Sequence, residues 1–339
     1  MLVTYIRSSS YNNYAYCQMQ YFITYVLGYQ PESGKKAELG TIVHKVMETL
    51  AKLKKYQQEN PRKLNLLVED DAIKSLSIKK NEFLKNFTVE NILSKSFDFY
   101  TGESKHHFTK SDKDLCLQLV WDTLNYNDGQ FDPRYRKIVA AEPHFDIPIE
   151  EDWAFYEYEI NGEKVKGQLA IKGTIDLVTE TEDGILEAID WKTGKRLDWA
   201  TGEEKTYGKL CSDPQLLLYN YAISKLFPNY KQSIMSIFFI KDGGPFSMCF
   251  DESDQSKFLE MLKTRYMDIK NNDNPRPISQ NRDNWKCTKL CHYCKNNWPE
   301  TDTNMCIYIE NSIKTKGMEQ TIKDCKKEGF EIGFYSAPG

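Results

Sequence analysis

The chain has 339 residues, enough to bury a sizeable core as one large domain or two smaller ones. Its 40% apolar and 28% charged content is that of a soluble globular protein. No apolar run approaches the roughly 18 residues that span a bilayer. With 45 Lys+Arg against 49 Asp+Glu, the net charge of −4 excludes a histone-like, charge-driven binder of nucleic acid, although the field inside a cleft can differ from the total.

Taken in chain order, Met1 to Tyr16 is rich in tyrosine and serine and lacks an apolar h-region, so no signal peptide and a cytoplasmic setting are expected. An aromatic helical run from Tyr11 to Tyr29 contains Cys17. A second helix covers Leu39 to Lys55, where Ile42, Val46, Leu50 and Leu53 recur at helical spacing and His44 is followed one turn later by Glu48. Glu48 reads as a helix-surface residue. Residues 61–135 read as a mostly helical, lysine-rich insertion. Strands are expected over Ile138 to Ile149, Trp153 to Ile160 and Lys164 to Leu169, the last two joined by an Asn161-Gly162 turn. Pro214 to Leu226 is a helix with Asp213 as N-cap and Pro214 at its first position. A strand pair surrounds Asp242-Gly243-Gly244, Ser253 to Asn271 is an amphipathic helix, and the tail from Tyr308 to Lys327 is helical. This is an α/β arrangement with a mixed central sheet flanked by helices. Its divisions are N-terminal helices (1–60), the insertion (61–135), a core (136–270) and a cysteine-rich segment with a C-terminal helix (271–339).

Chemistry concentrates in Gly173-Thr174-Ile175-Asp176 and Ala188-Ile189-Asp190-Trp191-Lys192-Thr193-Gly194. Asp183-Gly184 between them is a tight-turn signal, so the two runs form a hairpin and bring Asp176 beside Asp190. Asp190 and Lys192 share one face of their strand, and Trp191 points to the other. Two carboxylates and an ammonium at one place suit metal-assisted hydrolysis of a phosphodiester. Glu187 takes the face opposite Asp190 and reads as structural.

Of nine cysteines, Cys116, Cys211, Cys249 and Cys325 are scattered and read as buried apolar residues. Cys287, Cys291 and Cys294 are clustered, Cys306 follows, and Cys17 stands near the start. In a reducing compartment such clustering points to a metal or iron–sulfur site. Cys287, Cys291, Cys294 and Cys306 would suffice for tetrahedral zinc, with His292 as a further candidate ligand.

In order along the chain, Gly40-x-x-x-His44, Glu142 ahead of Phe145, Gly-x-Ile-Asp ending at Asp176, Asp190-x-Lys192 with Thr-Gly after it, and Gln215-x-x-x-Tyr219 resemble the RecB-type branch of the PD-(D/E)XK nucleases. The resemblance implies a restriction-endonuclease-like core and a divalent ion, Mg²⁺ or Mn²⁺, ligated by His44, Asp176, Asp190 and the Trp191 backbone carbonyl. Lys192 would activate the attacking water or offset transition-state charge, Gln215 and Tyr219 would orient Lys192 and hold phosphate, and Glu142 is a weaker candidate. Cys17 resembles the early cysteine of the AddB-type and CRISPR-adaptation nucleases, which joins three late cysteines around a [4Fe–4S] cluster. That implies Cys17, Cys287, Cys291 and Cys306 as ligands with Cys294 as the alternative, although the late spacing departs from the family's Cys-x2-Cys-x5-Cys. A structural zinc ion remains the other reading. Trp285, Lys286, Lys289, Tyr293, Lys295 and Trp298 around these cysteines suit single-stranded DNA, and packing around a cluster explains the same aromatics.

The expected function is a metal-dependent DNA exonuclease acting on ends or single strands in recombination, repair or phage DNA processing. A CRISPR-adaptation-type trimming nuclease and a non-cutting DNA-binding scaffold are the alternatives. No Gly-x4-Gly-Lys-Ser/Thr loop occurs, so unwinding would need a helicase or recombination partner.

Overall fold

The computed structural model describes residues 1–60, 88–160, 163–198 and 201–331. In chain order the strands are β1 (Tyr5–Ile6), β2 (Lys137–Ala141), β3 (His144–Pro148), β4 (Phe155–Ile160), β5 (Glu163–Gln168), β6 (Ala170–Thr174), β7 (Leu177–Glu180), β8 (Leu186–Lys192), β9 (Ser233–Phe239) and β10 (Gly244–Cys249). The chain forms two compact units. One comprises Ser33–Phe145 and Thr174–Asp251; the other comprises Met1–Glu32, Asp146–Gly173 and Glu252–Gly339.

The unit that carries Asp176 and Asp190 is built on a five-stranded sheet of order β10-β9-β8-β7-β2. Only β8 and β9 are parallel; the crossover between them includes the helix Pro214–Leu226, whose N-cap Asp213 accepts the Gln215 N–H. Strand β8 is buried from Leu186 to Trp191, as a central strand covered on both faces must be. At the far edge, the Gln58 amide donates to the Ile138 carbonyl at 3.0 Å and accepts the Ile138 N–H at 2.9 Å, so a side chain stands in for a strand partner. Leu39, Ile42, Val46 and Leu50, on the helix Lys35–Glu59, pack in one core with Trp191, Ile189 and Phe238. Trp191 is 1% exposed, and its truncation to alanine would cost about 3–5 kcal/mol.

Over its described part, the expected insertion is helical. Helices Val89–Gly102 and Lys110–Leu124 are capped by Thr88 and by a Thr109/Asp112 capping box. Expectations that fall on residues 61–87, and the Asn161-Gly162 turn, lie outside the described residues.

In the other unit, β1-β6-β3 form a three-stranded sheet and β4-β5 a separate hairpin. The expected single strand Ile138 to Ile149 is therefore two strands in two sheets. The break falls at Glu142-Pro143, where Glu142 adopts the left-handed φ of +49°. The expected helix Tyr11 to Tyr29 is also divided. Cys17 is extended (φ −158°, ψ 108°) between Ser8–Tyr16 and Gln18–Tyr21, and a π-helical turn Phe22–Val26 follows. The tail helix splits into Met305–Lys316 and Met318–Cys325 at Gly317, whose φ of +80° suits glycine. Cys116 and Cys325 are buried as expected, but Cys249 is exposed and Cys211 is half-buried. Among the described residues, no helix is long and apolar enough to cross a membrane.

Candidate active site

The β7–β8 hairpin pairs Leu177 with Ile189, which leaves Asp176 and Asp190 at the same end of the two strands. The Trp191 N–H donates to Asp176 Oδ2 at 2.8 Å and fixes that carboxylate across the ladder. His44 Nδ1 lies 3.4 Å from the same oxygen, and Lys192 Nζ lies 2.6 Å from Asp190 Oδ2. The helix bearing His44 approaches closely because position 40 is glycine. A Cβ there would stand 2.7 Å from Thr193 Oγ1, just beyond Lys192.

Burial and mutual charge set the protonation states. Burial pushes the Asp190 carboxyl up to about 6, with Asp176 adding to the rise against the opposing pull of Lys192. Burial acts upward on Asp176 as well, but His44 and Lys192 outweigh it and its pKa is lowered. Burial works to lower His44, and Asp176 beside it reverses the sign and raises it. Lys192 is likewise raised, because Asp190 and Asp176 outweigh its desolvation, so it is an ammonium.

Gln215 Nε2 donates to Asp190 Oδ1 at 2.9 Å and to Tyr219 Oη at 3.0 Å. Its hydrogen-bond partner is therefore Asp190, not the expected Lys192. The rise of one turn from Gln215 to Tyr219 places both on the face toward β8. Tyr219 is 7% exposed, and burial holds its phenol well above 10, so it remains a neutral O–H.

The sequence profile of the PD-(D/E)XK nuclease superfamily matches residues 8–298. The chain belongs to the PD-(D/E)XK nuclease superfamily. Metal-dependent hydrolysis of nucleic-acid phosphodiesters is the chemistry of that superfamily, and its members generally use Mg²⁺ or Mn²⁺. A comparison with curated proteins finds no match.

In this nuclease, a second carboxylate pair adjoins the first. Glu48 is not a surface residue: it is 5% exposed and paired with Lys45 at 3.0 Å and Lys52 at 2.7 Å. Burial, then Glu48, then Asp176 push Glu142 up to about 7. The Glu142 N–H donates to the Asp176 carbonyl at 3.0 Å, so its strained backbone is tied to the same strand end. Asp213 adds negative charge that raises Lys192, and its own carboxylate is met by Lys205 at 2.5 Å. In the sequence Asp213 is marked only as an N-cap, and nothing local marks Lys205. Glu187 forms a buried network with Arg136 and with Ser236 Oγ, the latter at 2.5 Å, away from these groups.

Among the described residues, no group of three or more His, Cys, Asp or Glu side chains is ready-set to hold a metal ion. The donor set nevertheless fits a hard divalent cation. The buried Asp190 carboxylate has a second carboxylate, Asp176, and the His44 imidazole beside it, an oxygen-rich set with one nitrogen.

The nuclease's cysteine site lies wholly within the other unit. Cys17, Cys287, Cys291, Cys294 and Cys306 line one small cavity together with Tyr16 and Lys286. The Cys294 thiol contacts those of Cys287, Cys291 and Cys306, so the alternative ligand is at the centre of the late group. Cys17 Sγ accepts the Gln20 N–H at 3.5 Å, and Cys291 Sγ is approached by the Tyr293 and Cys294 N–H groups. Burial pushes the Cys17 thiol up, and Cys294 together with burial pushes Cys291 up; the backbone donors oppose that rise and favour the metal-binding thiolate only in part. His292 faces the Asn296 amide at 3.1 Å and does not line the cavity.

Proposed function

We propose that this superfamily member is a RecB-type, divalent-metal DNA exonuclease acting on ends or single strands in recombination, repair or phage DNA processing. The observation that carries its catalytic part is the convergence on one strand end of the buried Asp190 carboxylate with Asp176, His44 and Lys192. The RecB-type assignment is supported by the order of the His44, Asp176, Asp190-x-Lys192 and Gln215-x-x-x-Tyr219 elements.

Asp176, Asp190 and His44 would hold Mg²⁺ or Mn²⁺, with the Trp191 carbonyl as a further oxygen donor. When bound, the ion supplies Lewis-acid stabilisation of phosphoryl charge and eases deprotonation of water. Lys192 enters as an ammonium and donates to the attacking water or to a phosphoryl oxygen, where negative charge grows in the transition state. Gln215 donates to Oδ1 and Lys192 meets Oδ2, so the two together hold the Asp190 rotamer that would ligate the cation. Tyr219, accepting from Gln215, keeps its own proton to donate toward phosphate.

For the thiol site, Cys17 converging with the late cysteines from the opposite end of the sequence supports a structural [4Fe–4S] cluster. A second reading, structural zinc, is favoured by the contact of the Cys294 thiol with those of Cys287, Cys291 and Cys306, since tetrahedral zinc draws its sulfurs close.

The test is cleavage of end-labelled single- and double-stranded DNA with Mn²⁺, comparing wild type with Asp190→Ala and Lys192→Ala. A mononucleotide ladder lost in both variants is expected. Undiminished cutting by Asp190→Ala would refute the centre, and internal fragments alone would refute the exonuclease mode. DNA binding without cutting under any metal would leave a scaffold.

A further inference from the structure

Within the unit that holds the thiols, Trp285 and Leu290 are 55% and 46% exposed. They lie five residues apart across the π-helical turn Lys286–Leu290, a spacing that brings both to one side of a turn closed by i→i+5 bonds. The inner side of that turn carries Cys287 and Cys291, which are 2% and 8% exposed. Their seating in the thiol cavity holds the tryptophan and leucine outward. The neighbouring aromatics are already engaged. Tyr293 is buried with its hydroxyl 2.8 Å from Thr24 Oγ1, and Trp298 stacks on Tyr308 with centroids 4.7 Å apart and planes at 2°. Trp285 is the one large aromatic of this segment that is offered to solvent.

Its rim is cationic. The Lys286 ammonium stands 5.9 Å from the Trp285 ring centroid, and Lys289 and Lys295 are exposed, with Lys295 Nζ donating to the Lys289 carbonyl at 2.7 Å. Asp283 is the only acidic residue between positions 281 and 298. A wide indole face beside Leu290, ringed by ammonium groups, matches a partner with flat rings and a polyanionic backbone. In a duplex the base faces are stacked on one another and are not available to such a surface.

We propose that Trp285 and Leu290, rimmed by Lys286, Lys289 and Lys295, form a base-stacking platform for single-stranded nucleic acid. This rests on the nuclease reading and adds to it a recognition element outside the catalytic unit. Fluorescence anisotropy with labelled dT20 and a blunt 20-base-pair duplex, in Ca²⁺, on the full chain, tests it. Stacking of a base on an aromatic side chain is worth about 1–3 kcal/mol, so Trp285→Ala should weaken dT20 binding about 5- to 150-fold. Trp285→Phe should restore most of that loss, with melting temperatures unchanged in both variants. Lys289→Gln should weaken binding less and lower the salt slope by about 0.7, as loss of one phosphate contact on a single strand does. Wild-type affinity for dT20 in Trp285→Ala, or equal losses for dT20 and the duplex, would overturn the platform. So would a poly-glutamate peptide that competes as well as dT20, which would point to an acidic protein partner. Hydrolysis of thymidine 5′-(p-nitrophenyl phosphate) by the wild type with Mn²⁺ tests the catalytic reading separately, because that substrate needs no platform.

Discussion

The Trp191 N–H and Asp176 Oδ2, 2.8 Å apart, join a core anchor to a carboxylate of the candidate centre. Trp191 is packed on one face of β8, and the same residue's backbone fixes the acid beside Asp190. Asp176→Asn keeps a carbonyl oxygen for that bond and removes the charge. It should lower DNA cleavage about 10³-fold or more while leaving the melting temperature nearly unchanged. Asp176→Ala also orphans the Trp191 N–H and should cost about 1–2 kcal/mol in urea unfolding. Equal stability of the Asn and Ala variants would show that the bond contributes nothing.

Gln215 presents both amide protons, one to Asp190 and one to Tyr219. Gln215→Leu removes both bonds without adding charge and should lower kcat about 10- to 100-fold with little change in thermal stability. Gln215→Glu places a third carboxylate against Asp190 and should be the more damaging of the two unless divalent metal is raised. Metal titrations of kcat for the two variants distinguish lost orientation from added repulsion.

Glu142 couples the centre to stability. Its folded pKa is raised to about 7 from an ordinary 4.5, so the native state binds the proton more tightly than the unfolded chain. The sign follows: this carboxyl's contribution is most favourable below about pH 4.5 and is lost as pH rises through about 7. In EDTA the protein should therefore lose about 1–3 kcal/mol between pH 5 and 8 from this group. Glu142→Gln should flatten that part of the profile and raise the melting temperature at pH 8. Mn²⁺ should stabilise wild type more at pH 8 than at pH 5, because cation and proton compete for the same carboxylates. Glu142→Gly should add a further gain by relieving φ +49°.

Much of the candidate centre was legible because it depends on local rules. Asp183-Gly184 signals the β7–β8 hairpin, and alternation along β8 separates Asp190 and Lys192 from Trp191. The apolar spacing of Ile42, Val46 and Leu50 places His44 on a buried helix. The remainder depends on tertiary charge and sulfur contacts that leave no local periodicity. Glu48, one turn after His44, is buried because Lys45 and Lys52 neutralise it. A left-handed glutamate at position 142 has no propensity signal, and Pro143 is the only hint of the break. The helix around Cys17 ends because that residue turns its sulfur toward backbone N–H groups, which the aromatic run on either side conceals.

The five thiols lend themselves to a decisive experiment. A [4Fe–4S] cluster using Cys17 would make anaerobically purified protein brown, with broad absorption near roughly 400 nm, and Cys17→Ser should bleach it. Zinc held by the four late cysteines would give colourless protein with one bound equivalent, and Cys17→Ser would leave that metal in place. Cys294 touches Cys287, Cys291 and Cys306, so Cys294→Ser should disturb the site under either metal. A cluster that links Cys17 to Cys306 closes a loop of nearly 300 residues and restricts the unfolded chain. Its loss should therefore lower the melting temperature of the unit containing the thiols, and added chelator should do the same under the zinc reading. Metal analysis of wild type, Cys17→Ser and Cys294→Ser separates the two: iron lost with Cys17 supports the cluster, and zinc retained without Cys17 excludes it.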